Sequence, residues 1–340
     1  MISKKEIRLG LIGAGGIAQT WSAAIQGMTA VELVVVADMN LSAAQKMAAD
    51  HDAKAVSMIE ELETVEFDAL IVCTPPLFHP DHCKRFLNKG IHVLCEKPLA
   101  VDSESANDMI QTAKKNNVVF TMASKFRFVD DVIKAKQFVD EGLIGEVILY
   151  ENSFTGFVDM TNRWNSDPRV SGGGVLIDNG THSLDIMRYF LGSLAEIRVV
   201  EGKRIQNLPV EDTVHVFVRT YNGTLGLIDL SWSLTKQLPN FISLYGSNGT
   251  LHVGWQESKY RLKNEKEWKV FGNGYDKIRA FQNQLENFCG AIVSGQPLVI
   301  TPEDGLASVC TVEAAYLAMQ KSNWQPVEAT GAERAQVEQS

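Results

Sequence analysis

Residues 7–18 of this chain read IRLGLIGAGGIA. A short apolar run ends in Gly13-Ala14-Gly15-Gly16-Ile17-Ala18, which fits the pattern G-x-G-x-x-A, and a helical pattern continues to Ile25. In this pattern the first glycine permits a tight turn, the second lets a pyrophosphate approach the backbone, and the small last residue lets helix and strand pack closely. The helix start then offers unpaired N–H groups to the phosphates. We therefore predict that these six residues bind a dinucleotide, although an ordinary glycine-rich turn has the same letters.

The residues after the turn favour the dinucleotide over an ordinary turn. Val31–Ala37 is rich in valine, reads as a strand and ends at Asp38, 20 residues after Ala18. An acidic residue at this place accepts hydrogen bonds from the adenosine ribose, and a carboxylate there would repel a 2′-phosphate. No Arg or Lys follows Asp38 directly. We expect NAD as the cofactor and regard NADP as less favoured.

Strands and helices continue to alternate through the first 124 residues. Apolar runs at Ala69–Cys73, Ile91–Cys95 and Val118–Met122 read as strands that helical segments separate. This alternation predicts an α/β fold with a doubly wound parallel sheet, the Rossmann arrangement, in which ligands bind beyond the carboxyl ends of the strands. Close to those ends we predict cofactor contacts from Thr74, Pro75, His79, Glu96 and Lys97.

After about residue 125 the pattern changes to longer strands joined by tight turns. The pairs Asn222-Gly223 and Asn248-Gly249 are typical of hairpins. We predict a C-terminal α+β domain with a large, mostly antiparallel open sheet packed on helices. One face of such a sheet often pairs with another subunit, so we expect a homodimer or homotetramer.

The change of pattern also sets the predicted domain boundaries. Residues 1–124 would form the dinucleotide-binding domain, and residues 125–300 the α+β domain for substrate binding and oligomerisation. Residues 301–325 would form a C-terminal helix that packs back on the N-terminal domain, and residues 326–340 a polar tail. A chain of 340 residues is longer than one hydrophobic core usually holds, which agrees with two domains.

The stretch GGGVLIDNGTHSLD, which begins at Gly172, places polar residues at helical spacing. Four of them share one helix face at positions i, i+4, i+7 and i+11: Asp178, His182, Asp185 and Tyr189. An apolar stripe on another face, which includes Leu184, is the expected core face, so the polar stripe has no reason to be buried. The three glycines would let the backbone turn tightly and leave the helix start open to a small molecule.

Two plainer interpretations of His182 stay open from its residues alone. It could be a polar helix residue that Asp178 satisfies, or a capping residue. A metal ion is not expected, because no third ligand lies at metal-binding spacing nearby. Of the other histidines, His79 has the clearest context, as a cap for the helix that follows Thr74-Pro75-Pro76.

Three motifs in order resemble the Gfo/Idh/MocA family. They are the turn Gly13–Ala18, the tripeptide Glu96-Lys97-Pro98 after a strand, and GGGxxxDxGxH over residues 172–182. The family consists of nicotinamide-dependent sugar and cyclitol oxidoreductases, and the resemblance spans nearly the whole chain. It implies oxidation of a secondary hydroxyl of a sugar, a sugar derivative or a cyclitol such as inositol.

The resemblance also implies three catalytic residues. Lys97 would hydrogen-bond the reacting hydroxyl or carbonyl, and His182, paired with Asp178, would exchange the substrate proton. The side-chain chemistry agrees, because a histidine titrates near neutral pH and a carboxylate orients it and stabilises its charged form. A lysine cation stabilises a developing alkoxide.

Substrate choice is expected to depend on loops such as Ser153–Arg169. Candidate substrate contacts are Arg127, Arg163, Trp164 and Tyr275, each of which could equally be structural. Two other functions stay open: a dinucleotide- and sugar-binding regulator without catalysis, and an NAD-dependent glycoside hydrolase that borrows and returns the hydride.

Composition weighs against several other function classes. The net charge of −9 disfavours nucleic acid and anionic membrane surfaces as partners. No run of 18 apolar residues occurs, so no membrane span is expected. Five dispersed cysteines without a CxxC pair, together with the lack of an export signal, predict a cytoplasmic protein with reduced thiols.

Overall fold

The computed structural model describes residues 7–328, and the chain divides into two compact units. Within the described residues, the first unit comprises residues 7–100, Glu104–Lys125 and Lys277–Gly305. The second comprises Val101–Ser103, Phe126–Asp276 and residues 306–328.

The first unit contains a six-stranded sheet in which every neighbouring pair is parallel, with strand order β3-β2-β1-β4-β5-β6. The strands are β1 Ile7–Ile12, β2 Val31–Ala37, β3 Lys54–Val56, β4 Ala69–Val72, β5 His92–Glu96 and β6 Phe120–Ala123. The strand order reverses between β1 and β4, which is the place where doubly wound sheets bind dinucleotides. The predicted Rossmann arrangement is confirmed.

The second unit contains a nine-stranded sheet with the order β14-β13-β12-β11-β7-β10-β9-β8-β15. Its strands are β7 Val147–Thr155, β8 Leu194–Glu201, β9 Thr213–Thr220, β10 Leu225–Ser231, β11 Asn240–Gly246, β12 Gly249–Gly254, β13 Ser258–Leu262, β14 Lys269–Gly272 and β15 Gln325–Pro326. The β7–β10 pair is parallel and the other neighbouring pairs are antiparallel. The predicted mostly antiparallel sheet is also confirmed.

Ten α-helices accompany the two sheets within residues 7–328. They are α1 Gly16–Gln26, α2 Leu41–Ala49, α3 Ile59–Leu62, α4 His79–Leu87, α5 Ser103–Lys115, α6 Asp130–Asp140, α7 Pro168–Ser171, α8 Val175–Leu191, α9 Lys277–Ser294 and α10 Pro302–Lys321. Helix α8 packs on β7, β9 and β10. Each of these ten helices is too short or too polar to cross a lipid bilayer.

Helix α9 belongs to the first unit, whereas the sequence-based boundaries assigned it to the C-terminal domain. The rings of Phe281 in α9 and Trp21 in α1 lie 4.5 Å apart, edge to face. Leu285 and Phe288 of the same helix are fully buried in the core around β1. An apolar helix face does not itself reveal which sheet it covers, so the sequence pattern could not make this assignment.

Helix α10 also differs from its predicted place, because the second unit includes it from Leu306 onward. Its Glu313 side chain accepts a hydrogen bond from the Ser103 N–H at 2.9 Å, and Tyr316 donates to Glu211 at 2.8 Å. These contacts join the part of α10 after Gly305 to the second unit, whereas Glu303 in its first turn pairs with Lys114 of the first unit at 2.7 Å. Of the predicted tail, residues 329–340 lie outside the described part of the chain.

Candidate functional site

The glycine turn between β1 and α1 has two kinds of glycine. Gly13 has φ +92°, and a Cβ on it would lie 2.8 Å from the carbonyl oxygen of Cys73, so this position brings β1 close to the end of β4. A Cβ on Gly15 or Gly16 would meet nothing within 4 Å, and the start of α1 has neither a side-chain cap nor an acidic residue in its first turn. This open, uncapped helix start fits the pyrophosphate of a dinucleotide.

The carboxylate of Asp38 lies at the edge of this turn. Its Oδ2 accepts a hydrogen bond from the Ala14 N–H at 2.6 Å, and its Oδ1 accepts one from the Asn40 N–H at 2.8 Å. A carboxylate has about four acceptor positions, so Asp38 retains capacity for ribose hydroxyls. Ala18 is fully buried at the first turn of α1 and packs in the core, as the small residue of the motif should.

His79 was predicted as a helix cap and cofactor contact, but its ring is fully buried. Its Nε2 lies 2.7 Å from the carbonyl oxygen of Thr74, and its Nδ1 lies 2.9 Å from that of Pro98. Burial lowers the pKa of His79 to about 4. His79 therefore joins the loops that follow β4 and β5 and does not present its ring to a cofactor, while Thr74 and Pro75 remain half-buried at the end of β4.

Glu96 and Lys97 end strand β5 in different environments. Glu96 is buried, and its carboxylate accepts a hydrogen bond from the Trp21 indole N–H at 2.8 Å. Burial raises the pKa of Glu96. Lys97 is half-buried, its own N–H donates to Glu96 at 3.3 Å, and a cis peptide bond joins it to Pro98. Glu96 thus supports the backbone from which Lys97 projects.

In the second unit, α8 carries the Asp178 and His182 pair one helical turn apart. Asp178 is half-buried in the first turn, and His182 is buried. The ring of Phe126 meets the His182 imidazole edge to face, with the centroids 5.1 Å apart. The helix therefore presents both residues of the pair on one face, as the spacing predicts.

The lower part of the same polar face is buried, contrary to the expectation that it has no burial role. Asp185 is completely buried and forms a two-point ion pair with Arg127, at 2.6 Å and 3.0 Å. The guanidinium of Arg127 also lies 5.2 Å from the centre of the Tyr189 ring. Arg127, predicted as a substrate contact, is thereby engaged inside the unit and supports α8. Asp185 lies seven residues after Asp178 on the same helix face. This spacing does not show whether such a carboxylate faces an open site or pairs with a buried guanidinium.

The start of α8 is closed rather than open to a small molecule. The carboxylate of Glu211 accepts hydrogen bonds from the N–H groups of Gly174 and Leu176, and the Glu211 carbonyl accepts one from Val175. A Cβ on Gly174 would lie 2.1 Å from the Glu211 carbonyl oxygen. Gly174 therefore leaves room for the main chain of Glu211, which a side chain at this position would displace. Sequence reasoning missed Glu211 because no local signal links it to a helix 35 residues earlier.

An aromatic cluster surrounds Phe126 in the second unit. Tyr275 stacks on Phe126 with centroids 5.3 Å apart and meets Trp255 edge to face at 5.7 Å. Burial raises the pKa of Tyr275. Tyr275 thus shares Phe126 as a neighbour with His182, which keeps it a candidate for substrate contact.

Trp164 and Arg163 lie on an exposed loop. Trp164 begins a short 3₁₀ helix, Trp164–Ser166, and is 45% exposed. Arg163 is exposed as well. Within residues 7–328 no group of three or more His, Cys, Asp or Glu side chains is arranged to hold a metal ion.

Comparison with known proteins places both units in families. Residues 7–124 match the model of an oxidoreductase family with an NAD-binding Rossmann fold, and residues 132–252 match the GFO/IDH/MocA C-terminal domain.

Individual relatives match most of the chain. Inositol 2-dehydrogenase of Rhizobium meliloti (strain 1021) is 28% identical over 330 residues, which cover 91% of this chain and 96% of the relative. D-glucoside 3-dehydrogenase of Escherichia coli (strain K12) is 30% identical over 259 residues, which cover 68% and 72%. A solved structure of levoglucosan dehydrogenase in complex with NADH shares the fold, with a TM-score of 0.89 at 20% identity over 96% of this chain and 100% of that one.

Proposed function

Because this chain belongs to the Gfo/Idh/MocA family of NAD-binding oxidoreductases, we propose that it oxidises a secondary hydroxyl of a sugar, a sugar derivative or a cyclitol. The observation that carries the proposal is the retention of the complete set of side chains for this chemistry. Lys97 projects at the end of β5, and Asp178 and His182 share one face of α8. The names of relatives, which include inositol 2-dehydrogenase and D-glucoside 3-dehydrogenase, support the substrate class.

Three residues perform the proton chemistry. The Nζ of Lys97 donates a hydrogen bond to the substrate oxygen and stabilises negative charge that develops there. A ring nitrogen of His182 accepts the hydroxyl proton, and Asp178 stabilises the resulting imidazolium. The aromatic contact with Phe126 holds the imidazole in place.

The cofactor is held by the first unit. The open start of α1 at Gly15 and Gly16 binds the pyrophosphate, and Asp38 accepts hydrogen bonds from the adenosine ribose. Bound NAD supplies the acceptor for the hydride that leaves the substrate carbon. The Asp38 carboxylate disfavours NADP, because it would face the 2′-phosphate with like charge.

Trp164, Arg163 and Tyr275 are the proposed substrate contacts. Trp164 offers an exposed ring for a sugar face, and Arg163 offers donors for hydroxyls or a carboxylate. Tyr275 packs beside Phe126, the neighbour of His182.

The test is NADH formation at 340 nm from NAD with a panel of inositols, aldoses, sugar acids, anhydrosugars and glycosides, combined with product analysis. Accumulation of NADH with a ketone product supports the proposal. Cleavage of a glycoside without net NADH indicates the borrowed-hydride hydrolase instead. Tight NAD binding without any turnover indicates a regulator.

We further propose that a second copy of the chain covers the face of the nine-stranded sheet opposite α8. Four apolar residues are cross-strand neighbours there and form what we name the open-face patch: Leu149, Phe217, Leu225 and Leu227. Phe217 is 36% exposed and Leu225 is 47% exposed. An exposed apolar patch on a sheet is typical of a subunit interface.

A further inference from the structure

The start of α8 lacks a cap of its own although it is buried. Its N-cap residue is Gly174, which has no side chain to accept a hydrogen bond. Gly174, Val175 and Leu176 are all buried, so their N–H groups need acceptors from the protein.

Glu211 accepts all three of these hydrogen bonds. Its Oε1 accepts from the N–H groups of Gly174 at 2.9 Å and Leu176 at 3.0 Å, and its main-chain carbonyl accepts from Val175 at 2.9 Å. The side chain is itself buried, with 3% of its surface exposed. A carboxylate at this end of a helix is also favoured by the helix dipole.

Tyr316 of α10 also holds the Glu211 carboxylate. Its hydroxyl donates to the same Oε1 at 2.8 Å. A Cβ on Gly173 would lie 1.8 Å from this hydroxyl oxygen, so the tyrosine packs directly against the glycine backbone. The glycines therefore provide space for a clamp formed by Glu211 and Tyr316.

The clamp acts on the turn that carries the proton-transfer pair. The Asp178 N–H donates to the Gly174 carbonyl at 3.0 Å, so Asp178 belongs to the first turn and His182 to the next. A displacement of about 1 Å at such a pair is enough to lower turnover about 100-fold.

We infer that Glu211 is a positioning residue for the reaction, which fixes the first turn of α8 and thereby the orientation of Asp178 and His182. This inference rests on the proposed function. It assigns no contact between Glu211 and the substrate.

The kinetic test compares Glu211→Ala with Glu211→Gln, which keeps an acceptor oxygen at the same reach. We expect kcat to fall about 10- to 100-fold in E211A and to recover in part in E211Q, while the KM for NAD stays unchanged. Val199→Ala in β8 is the matched control, because it removes buried apolar volume in the same unit and Val199 takes no part in the hydrogen bonds of the clamp. V199A should lose thermal stability and keep its kcat.

A second readout does not depend on activity. Hydrogen–deuterium exchange should become faster in the peptide that contains the Gly174, Val175 and Leu176 amides in E211A, and remain slow in V199A. If E211A does not fold, E211Q and Tyr316→Phe take its place, with faster exchange and a several-fold lower kcat expected.

A folded E211A with wild-type kcat or unchanged exchange in this peptide overturns the inference, as does an equal loss of kcat in V199A at equal loss of stability. An inactive wild type instead overturns the proposed function, and the exchange measurement still reports whether Glu211 clamps the helix.

Discussion

At the residue scale, the glycines of the turn at residues 13–18 and those that precede α8 serve opposite purposes. Gly15 faces open space, whereas Gly174 is packed against the main chain of Glu211. The sequence predicted both motifs, because glycine spacing identifies a backbone requirement. It could not predict what approaches each glycine, since a ligand and a protein carbonyl both require the absence of a Cβ.

We expect Gly15→Ala to raise the Kd for NAD at least about tenfold, because its new Cβ occupies the approach of the pyrophosphate. The melting temperature should stay unchanged, because that Cβ meets no protein atom within 4 Å. Gly13→Ala is the contrasting control. Its Cβ would lie 2.8 Å from the Cys73 carbonyl oxygen, so it should lower the free energy of unfolding by about 1–3 kcal/mol. Unchanged NAD affinity in G15A would contradict the assignment of the start of α1 to pyrophosphate binding.

We expect His79 to make the stability of the protein depend on pH. Its folded pKa of about 4 lies below the value near 6.5 of an unfolded histidine. Between these values the unfolded chain binds more protons, so the free energy of unfolding falls as the pH is lowered from 6.5 towards 4, by up to about 3 kcal/mol.

The check is urea unfolding at several pH values for the wild type and His79→Gln. The variant lacks the titrating ring, so its stability should fall less over this window. Identical slopes for the two proteins would show that His79 does not contribute.

At the element scale, strand pattern was more informative than helix pattern. The pair Asn222-Gly223 predicted a hairpin, and β9 and β10 pair antiparallel on either side of it. Helix α8 was harder, since Asp185 on its polar face is completely buried against Arg127. A buried ion pair gives a helix the same polar stripe as an open site does.

We expect Asp185→Asn to lower the free energy of unfolding by about 3 kcal/mol, because it removes a buried carboxylate partner from the Arg127 guanidinium. The double variant Arg127→Leu with Asp185→Leu should recover much of this loss, since it buries neither charge. Urea unfolding of Arg127→Leu, Asp185→Leu and the double variant measures the coupling. An unaltered unfolding midpoint in D185N would mean that the pair does not stabilise α8.

At the scale of the whole molecule, two domains and their fold classes followed from the change of pattern near residue 125. The assignment of α9 did not, because a segment distant in sequence packs on α1 through Phe281. For the same reason the sequence did not predict the clamp that Glu211 forms at the start of α8. Long-range partners need the folded chain, whereas turns and strand faces are local properties.

The open-face patch predicts that the protein forms an oligomer through this face of the nine-stranded sheet. Leu225→Glu should convert an oligomer into a monomer in light scattering coupled to gel filtration, because a charge replaces apolar surface that a partner would bury. Val293→Glu in α9 is the control, since Val293 is similarly exposed, at 56%, but belongs to the first unit. A wild type that elutes as a monomer at micromolar concentration would contradict the proposed interface.

The most direct test of the central claim compares single-turnover NADH formation in the wild type, Lys97→Ala and His182→Ala, at saturating NAD and with the best substrate of the panel. We expect His182→Ala to bind NAD as tightly as the wild type and Lys97→Ala to be loaded at the saturating NAD concentration. Both variants should form NADH at least about 100-fold more slowly, because each lacks a group that stabilises or accepts charge in the reaction. Wild-type rates in both variants, with NAD bound, would contradict the central claim.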